Sequence, residues 1–138
     1  MKKVLIVDDS AFMRRVIRDI IEEDGELEVA GIAKNGKEAL EKIAELHPDV
    51  LTLDVEMPLM DGITTLDEIG KRKWNIPVVM LSSLTVEGAE MTIKALELGA
   101  VDFISKPESI FNIESEEKKK EIIAKLKMAL EAKNVRYQ

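Results

Sequence analysis

The chain has no cysteine, one histidine, one tryptophan and one tyrosine in 138 residues. Without cysteine there is no disulfide, no thiolate nucleophile and no zinc-thiolate site. Aromatic residues are only 4% of the total against 46% hydrophobic residues, so the core has to be aliphatic, built from Val, Ile, Leu, Ala and Met. Long apolar runs are missing as well. None approaches the roughly 18 residues of a spanning helix, and Met1-Lys2-Lys3 leads into Val4-Leu5-Ile6-Val7 alone, too short for a signal peptide. A cytoplasmic chain that does not insert into membranes is expected. Positive charge is scarce: 20 basic against 27 acidic residues give a net charge of −7, which opposes approach to a phosphate backbone and argues against nucleic acid as a partner.

What is present suits one well-packed domain. The charged share of 34%, rich in Lys and Glu, is the pattern enriched in heat-adapted proteins. Short apolar runs alternate with amphipathic segments. Val4 to Val7 ends in Asp8-Asp9-Ser10, after which Phe12, Met13, Val16, Ile17, Ile20 and Ile21 recur at helical spacing. Ser10 is placed to cap that helix and Gly25 to stop it. Leu27 to Ala33 reads as a second strand. Asn35-Gly36 then turns into a helix carrying Ala39, Leu40, Ile43 and Leu46, and Pro48 limits its reach.

The third run, Val50 to Pro58, delivers Asp54 and stops; Asp61-Gly62 and a segment with Ile63, Leu66 and Ile69 follow it to Gly70. Ile76 to Leu81 is a fourth strand ending in Ser82-Ser83, with a helix from about Val86 to Leu98. Val101 to Ile104 is a fifth, ending in Ser105-Lys106-Pro107. The last helix begins near Ser115, and Pro107 to Glu114 is the one long loop candidate. Five β-α units in strict alternation predict an α/β fold: a doubly wound, five-stranded parallel sheet with helices on both faces. In the fourth helix Ala89, Ile93 and Leu96, continuing to Ala100, line one stripe and Met91, Ala95 and Leu98 another; only one can face the sheet, and the sequence leaves open which.

Open α/β sheets bind ligands at the carboxyl ends of their strands. Those ends deliver Asp8 and Asp9, Asp54, Ser82 and Lys106, with only Lys34 from the second strand. Converging carboxylates repel, and a hard divalent cation such as Mg²⁺ compensates them while keeping places for water and a phosphate oxygen. Ser82 and Lys106 supply the hydroxyl and ammonium that a phosphoryl group's oxygens need, with Asp54 as the nucleophile of an aspartyl phosphate. Each residue also has an ordinary reading. Asp54 could cap a helix or bond its own loop, Asp8-Asp9 could precap the first helix, Ser82 could cap the fourth, and Lys106 could be a solvated loop lysine. His47 reads as a surface residue before Pro48.

Taken together, the motifs resemble the response-regulator receiver family from Lys2 to about Asn134. Val7-Asp8-Asp9-Ser10 matches its acidic pair, Asp54 its phosphoacceptor, Met57-Pro58 and Asp61-Gly62 the loop beyond, Ser82 its hydroxyl switch, Lys106-Pro107 its lysine and proline, and Phe103 its aromatic switch position. The wording is closer still to the receivers of chemotaxis protein-glutamate methylesterases, in Asp8 to Arg14, Glu56 to Gly62, Met80 to Thr85 and Leu98 to Pro107. The resemblance implies a single receiver domain over 1–138 with Mg²⁺ held by Asp8, Asp9, Asp54 and the backbone carbonyl of Glu56. It also implies a cis Lys106-Pro107 peptide and phosphorylation of Asp54 by a CheA-like histidine kinase, with Asp54, Ser82 and Lys106 catalysing the transfer and Ser82 and Phe103 as switch residues. An attached methylesterase/deamidase domain acting on chemoreceptors would be the output; the sequence itself carries no Gly-x-Ser-x-Gly elbow. A free-standing single-domain regulator is the alternative. An Asp-nucleophile phosphohydrolase of the haloacid-dehalogenase kind would use Glu56, two residues after Asp54, but fits poorly around Asp8-Asp9. A nucleotide-binding module lacks its glycine-rich loop.

Overall fold

In a computed structural model that describes residues 1–83, 85–106 and 115–132, every apolar run is a strand and a helix follows each one. The order is β1 (Lys2–Val7), α1 (Ala11–Asp24), β2 (Leu27–Ala33), α2 (Gly36–Leu46), β3 (Val50–Asp54), α3 (Gly62–Lys71), β4 (Val78–Ser82), α4 (Val86–Glu97), β5 (Asp102–Ser105) and α5 (Glu116–Leu130). All neighbouring strands pair in parallel, in the order β2-β1-β3-β4-β5. The chain steps from β1 outward to β2 and then crosses back to β3. The β1/β3 seam is therefore the topological switch point, where such sheets open a crevice at the strand ends.

Alternation along the strands builds two cores. Val4, Ile6, Val79, Leu81 and Ile104 face α1 and α5, whereas Leu5, Val7, Leu51, Leu53, Val78 and Met80 face α2, α3 and α4. Central strands buried on both faces explain why their sequences read as unbroken apolar runs. Phe12 departs from expectation. It stands 47% exposed while Met13, Val16, Ile17, Ile20 and Ile21 are buried, because the apolar stripe of α1 begins one residue later. In α4 the stripe of Met91, Ala95 and Leu98 packs on the sheet, leaving Ile93 and Leu96 outside.

Each helix start is closed by a side-chain oxygen: Ser10, Asn35, Asp61, Thr85 and Ser115 accept from the backbone N–H three residues on. Gly25 ends α1 with φ 81°, and His47, exposed as expected, ends α2 with φ 48°. The edge strand β5 is held from α5. Lys118 Nζ donates to the Ser105 carbonyl at 2.8 Å and Lys125 Nζ to the Phe103 carbonyl at 2.6 Å, the two lysines sharing Glu121. The Pro107–Glu114 loop, and with it the expected cis peptide, lies outside the described residues. Among the described residues no helix is long and apolar enough to cross a membrane.

Candidate functional site

The capping pattern leaves the strand-end polar groups free for other work. Thr85 caps α4, so Ser82 does not, although it is buried at the end of β4. Ser10 caps α1 and Asp61 caps α3, which frees the acidic pair and Asp54 from that role. Asp54 does keep one local bond, accepting the Glu56 N–H at 3.3 Å.

Asp8, Asp9 and Asp54 converge across the β1/β3 seam, each with a carboxylate oxygen within 4.8 Å of the others. Asp8 is fully buried and Asp54 nearly so, while Asp9 is open to solvent. Asp8 Oδ1 accepts the Ser10 N–H at 2.9 Å, a turn bond that fixes the carboxylate plane. Its other oxygen, Oδ2, is buried without a hydrogen-bond partner among the described residues and points into the cluster. Lys106 enters from the end of β5, its Nζ 3.2 Å from Asp54 Oδ2 and 3.3 Å from Asp8 Oδ2, an ion-pair contact off the hydrogen-bond directions in the latter case. It is no solvated loop lysine. Its own N–H donates to the Ser82 carbonyl at 2.7 Å, tying the lysine to the strand that carries the hydroxyl.

Burial and the Asp8 charge push the Asp54 carboxyl up from 3.8 to about 7, against the pull of Lys106. Burial raises Asp8 as well. For Lys106 burial acts downward, but the two carboxylates outweigh it and hold the ammonium above its ordinary value. One ammonium among three carboxylates leaves the cluster under-neutralised. A buried Asp8 oxygen whose one charged neighbour is an ammonium shared with Asp54, in an all-oxygen donor set, fits a hard divalent cation.

The remaining predicted residues lie beside the cluster. Glu56 is exposed, its backbone following Asp54 by two residues. Phe103 stands on β5, 38% exposed, with Lys125 Nζ 5.2 Å from its ring centre. Phe103 and Ser82 both line an open apolar cavity of about 340 Å³ between β5 and the outward side of α4, together with Thr92, Ile93 and Leu96.

Two residues escape a reading by strand ends. Gly62 opens α3 so close to β3 that an added Cβ would lie 2.3 Å from the Asp54 carbonyl oxygen, and its N–H donates to the Val55 carbonyl at 2.8 Å. The sequence shows it only as half of a turn dipeptide. Arg14 reaches back from the first turn of α1 to the Asp8 carbonyl, NH1 to oxygen 2.8 Å. Its only signal is an arginine one turn into the helix that follows an acidic pair.

The sequence matches the response regulator receiver domain family over residues 4–116. It is 59% identical over 127 residues to a protein-glutamate methylesterase/protein-glutamine glutaminase of Pyrococcus horikoshii, covering 92% of this chain and 34% of that protein. A protein of the same description from Geobacillus kaustophilus is 56% identical over 130 residues, covering 94% and 37%. The chain thus spans about a third of the length of these curated relatives. Among solved structures, the response regulator domain of Thermotoga maritima CheB superposes with a TM-score of 0.84 at 48% identity, covering 94% of this chain and 96% of that one.

Proposed function

Because the chain belongs to the response regulator receiver domain family, we propose that it is the phosphorylation-operated regulatory domain of a chemotaxis protein-glutamate methylesterase, with Asp54 as its phosphoacceptor. The observation that carries the reading is the meeting of Asp8, Asp9, Asp54 and Lys106 at the switch point of the sheet, where one ammonium is shared between two buried carboxylates. The whole 1–138 segment is read as one receiver, joined in a longer protein to a methylesterase/deamidase domain that acts on chemoreceptors.

In this reading a phosphohistidine of a CheA-like kinase is presented to the crevice. An Asp54 oxygen forms the new bond to phosphorus as the nitrogen–phosphorus bond breaks; the imidazole leaves with the electron pair and takes a proton from solvent. Asp8, Asp9, Asp54 and the Glu56 carbonyl would hold Mg²⁺, which would supply neutralising charge to the phosphoryl oxygens. Lys106 faces the same oxygens from β5, already within 3.2 Å of the nucleophile, and the Ser82 hydroxyl is buried at the adjacent strand end. The new group adds about −1.5 to −2 units of charge. Drawing Lys106 and Ser82 toward it disturbs the two walls, β4 and β5, of the cavity that Phe103 also lines, which gives the aromatic ring a route to report phosphorylation.

The test is incorporation of phosphate from acetyl phosphate with Mg²⁺, read by intact mass. Wild type should gain one phosphoryl group and Asp54→Asn none; incorporation by the variant at the wild-type rate would overturn the assignment. Hydrogen exchange around Ser82 and Phe103 with beryllofluoride is a better conformational probe than tryptophan fluorescence, because Trp74 precedes β4 at the opposite end of the sheet.

A further inference from the structure

The acidic pair is held asymmetrically. Asp8 is fixed three times, its N–H donating to the Ala33 carbonyl at 3.0 Å, its Oδ1 accepting from Ser10 and its Oδ2 beside Lys106. Asp9 has none of this. Its exposed carboxylate makes no hydrogen bond or ion pair with another described residue, so the backbone alone decides where it points. The peptide joining the two aspartates carries one further anchor, the Asp8 carbonyl in the grip of the Arg14 guanidinium at 2.8 Å. Arg14 makes no ion pair with any described carboxylate, although the carbonyl it binds belongs to a member of the acidic cluster. A guanidinium ordinarily favours a bidentate carboxylate. Here it takes a neutral carbonyl, and no carboxylate of the cluster is its partner.

We propose that Arg14 is a positioning residue for the cation site: by holding the Asp8 carbonyl it fixes the peptide that carries Asp9, and so sets the spacing of the two carboxylates for a divalent ion. This rests on reading the cluster as a divalent-cation site. The geometry makes a prediction opposite in sign to simple charge. Arg14 is a cation near a site for a dication, so if its charge were all that mattered, removing it would strengthen Mg²⁺ binding. If it positions Asp9, removing it weakens binding, as loss of an outer partner of a metal ligand does.

The experiment uses the whole chain, with Mg²⁺ affinity measured by titration calorimetry, unfolding temperature measured alongside, and hydrogen exchange at the Asp9 and Ser10 amides. Arg14→Met keeps helix propensity and most of the stem while removing the guanidinium. It should bind Mg²⁺ about tenfold more weakly, at the lower end of the effects of outer-shell partners. Its unfolding temperature should be unchanged and exchange at Asp9 faster. Arg14→Lys keeps a donor and the charge and should fall between Met and wild type. A Met variant that binds Mg²⁺ as tightly as wild type or more tightly overturns the proposal, as does a loss of affinity that merely tracks a loss of global stability, or a Lys variant weaker than Met. If wild type binds no Mg²⁺, and Asp9→Asn is equally inert, the reading of the cluster falls together with the role of Arg14. If wild type binds and Asp9→Asn does not, only the behaviour of the Arg14 variants is at stake.

Discussion

Replacing Asp54 by Asn should stabilise the metal-free protein, by an amount that grows with pH. Folding carries this carboxyl from 3.8 to about 7. The folded value is the higher, so the native state holds the proton more firmly than the unfolded chain does. That stability is complete below the unfolded value and is lost as pH rises through the folded one. At roughly 1.36 kcal/mol per unit, the loss between about pH 5 and about pH 8 approaches 3 kcal/mol. The neighbouring charges nearly offset each other. At an effective dielectric of about 20, Lys106 at 3.2 Å attracts by about 5 kcal/mol and Asp8, within 4.8 Å, repels by at least about 3.5 kcal/mol. Burial therefore decides the sign. Asn keeps the shape and drops the charge, but it also strips Lys106 of a partner, so a widening of roughly 1 to 3 kcal/mol in favour of the variant is expected over this pH range. Urea unfolding of both proteins in chelator, followed by far-ultraviolet circular dichroism, measures the difference and cancels the titrating groups outside the cluster, leaving Asp54 with the linked responses of Asp8 and Lys106. A difference that stays flat with pH, or turns toward wild type as pH rises, would refute the reasoning. Mg²⁺ at about 100 times its Kd should return about 2.7 kcal/mol to wild type and close the gap.

Gly62→Ala places a Cβ 2.3 Å from the Asp54 carbonyl oxygen, so a destabilisation of about 1 to 3 kcal/mol should be seen in thermal unfolding, together with slower phosphate incorporation as Asp54 is displaced. Unchanged stability would mean that α3 can back away freely. Glu121 titrates in the other sense. Although its partial burial acts upward, hydrogen bonds from Lys118 and Lys125 hold it below 4.5, so its stabilisation is present above that pH and fades as pH falls through the folded value. Wild type should exceed Glu121→Gln at neutral pH by less than about 1 kcal/mol, and the two should converge as the carboxyl protonates in acid.

The sheet and the convergence of polar groups at its edge were legible because both are written in short-range patterns. An apolar run that ends in one charged residue states where a buried strand stops and what it presents, as with Asp8, Asp54 and Lys106. The caps were legible for the same reason, Ser10 and Ser115 preceding apolar periodicity. Choices between faces were not. Phe12 satisfies helical spacing as well as Met13 does, and only the direction in which α1 lies on the sheet puts it outside. The two stripes of α4 are nearly equal in apolarity, and the burial of the small Ala95 in the sheet-side core marks the one that packs inward. Arg14 was illegible for a different reason. Its partner is a backbone carbonyl, and no residue type marks a carbonyl that needs holding.

The lysine clamp on β5 bears on how copies of this chain meet. An edge strand ordinarily offers a row of free backbone groups to any second strand. At Phe103 that offer is withdrawn on both sides: its N–H donates to the Asp102 carboxylate at 2.8 Å and its carbonyl accepts from Lys125, while the next outward carbonyl, that of Ser105, accepts from Lys118. A strand seeking to extend the sheet here would have to break charge-assisted bonds before forming neutral ones. Extension of the sheet beyond β5 is therefore disfavoured, and association through this side of the molecule would rest on exposed side chains such as Phe103, Ile93 and Val101 rather than on backbone pairing.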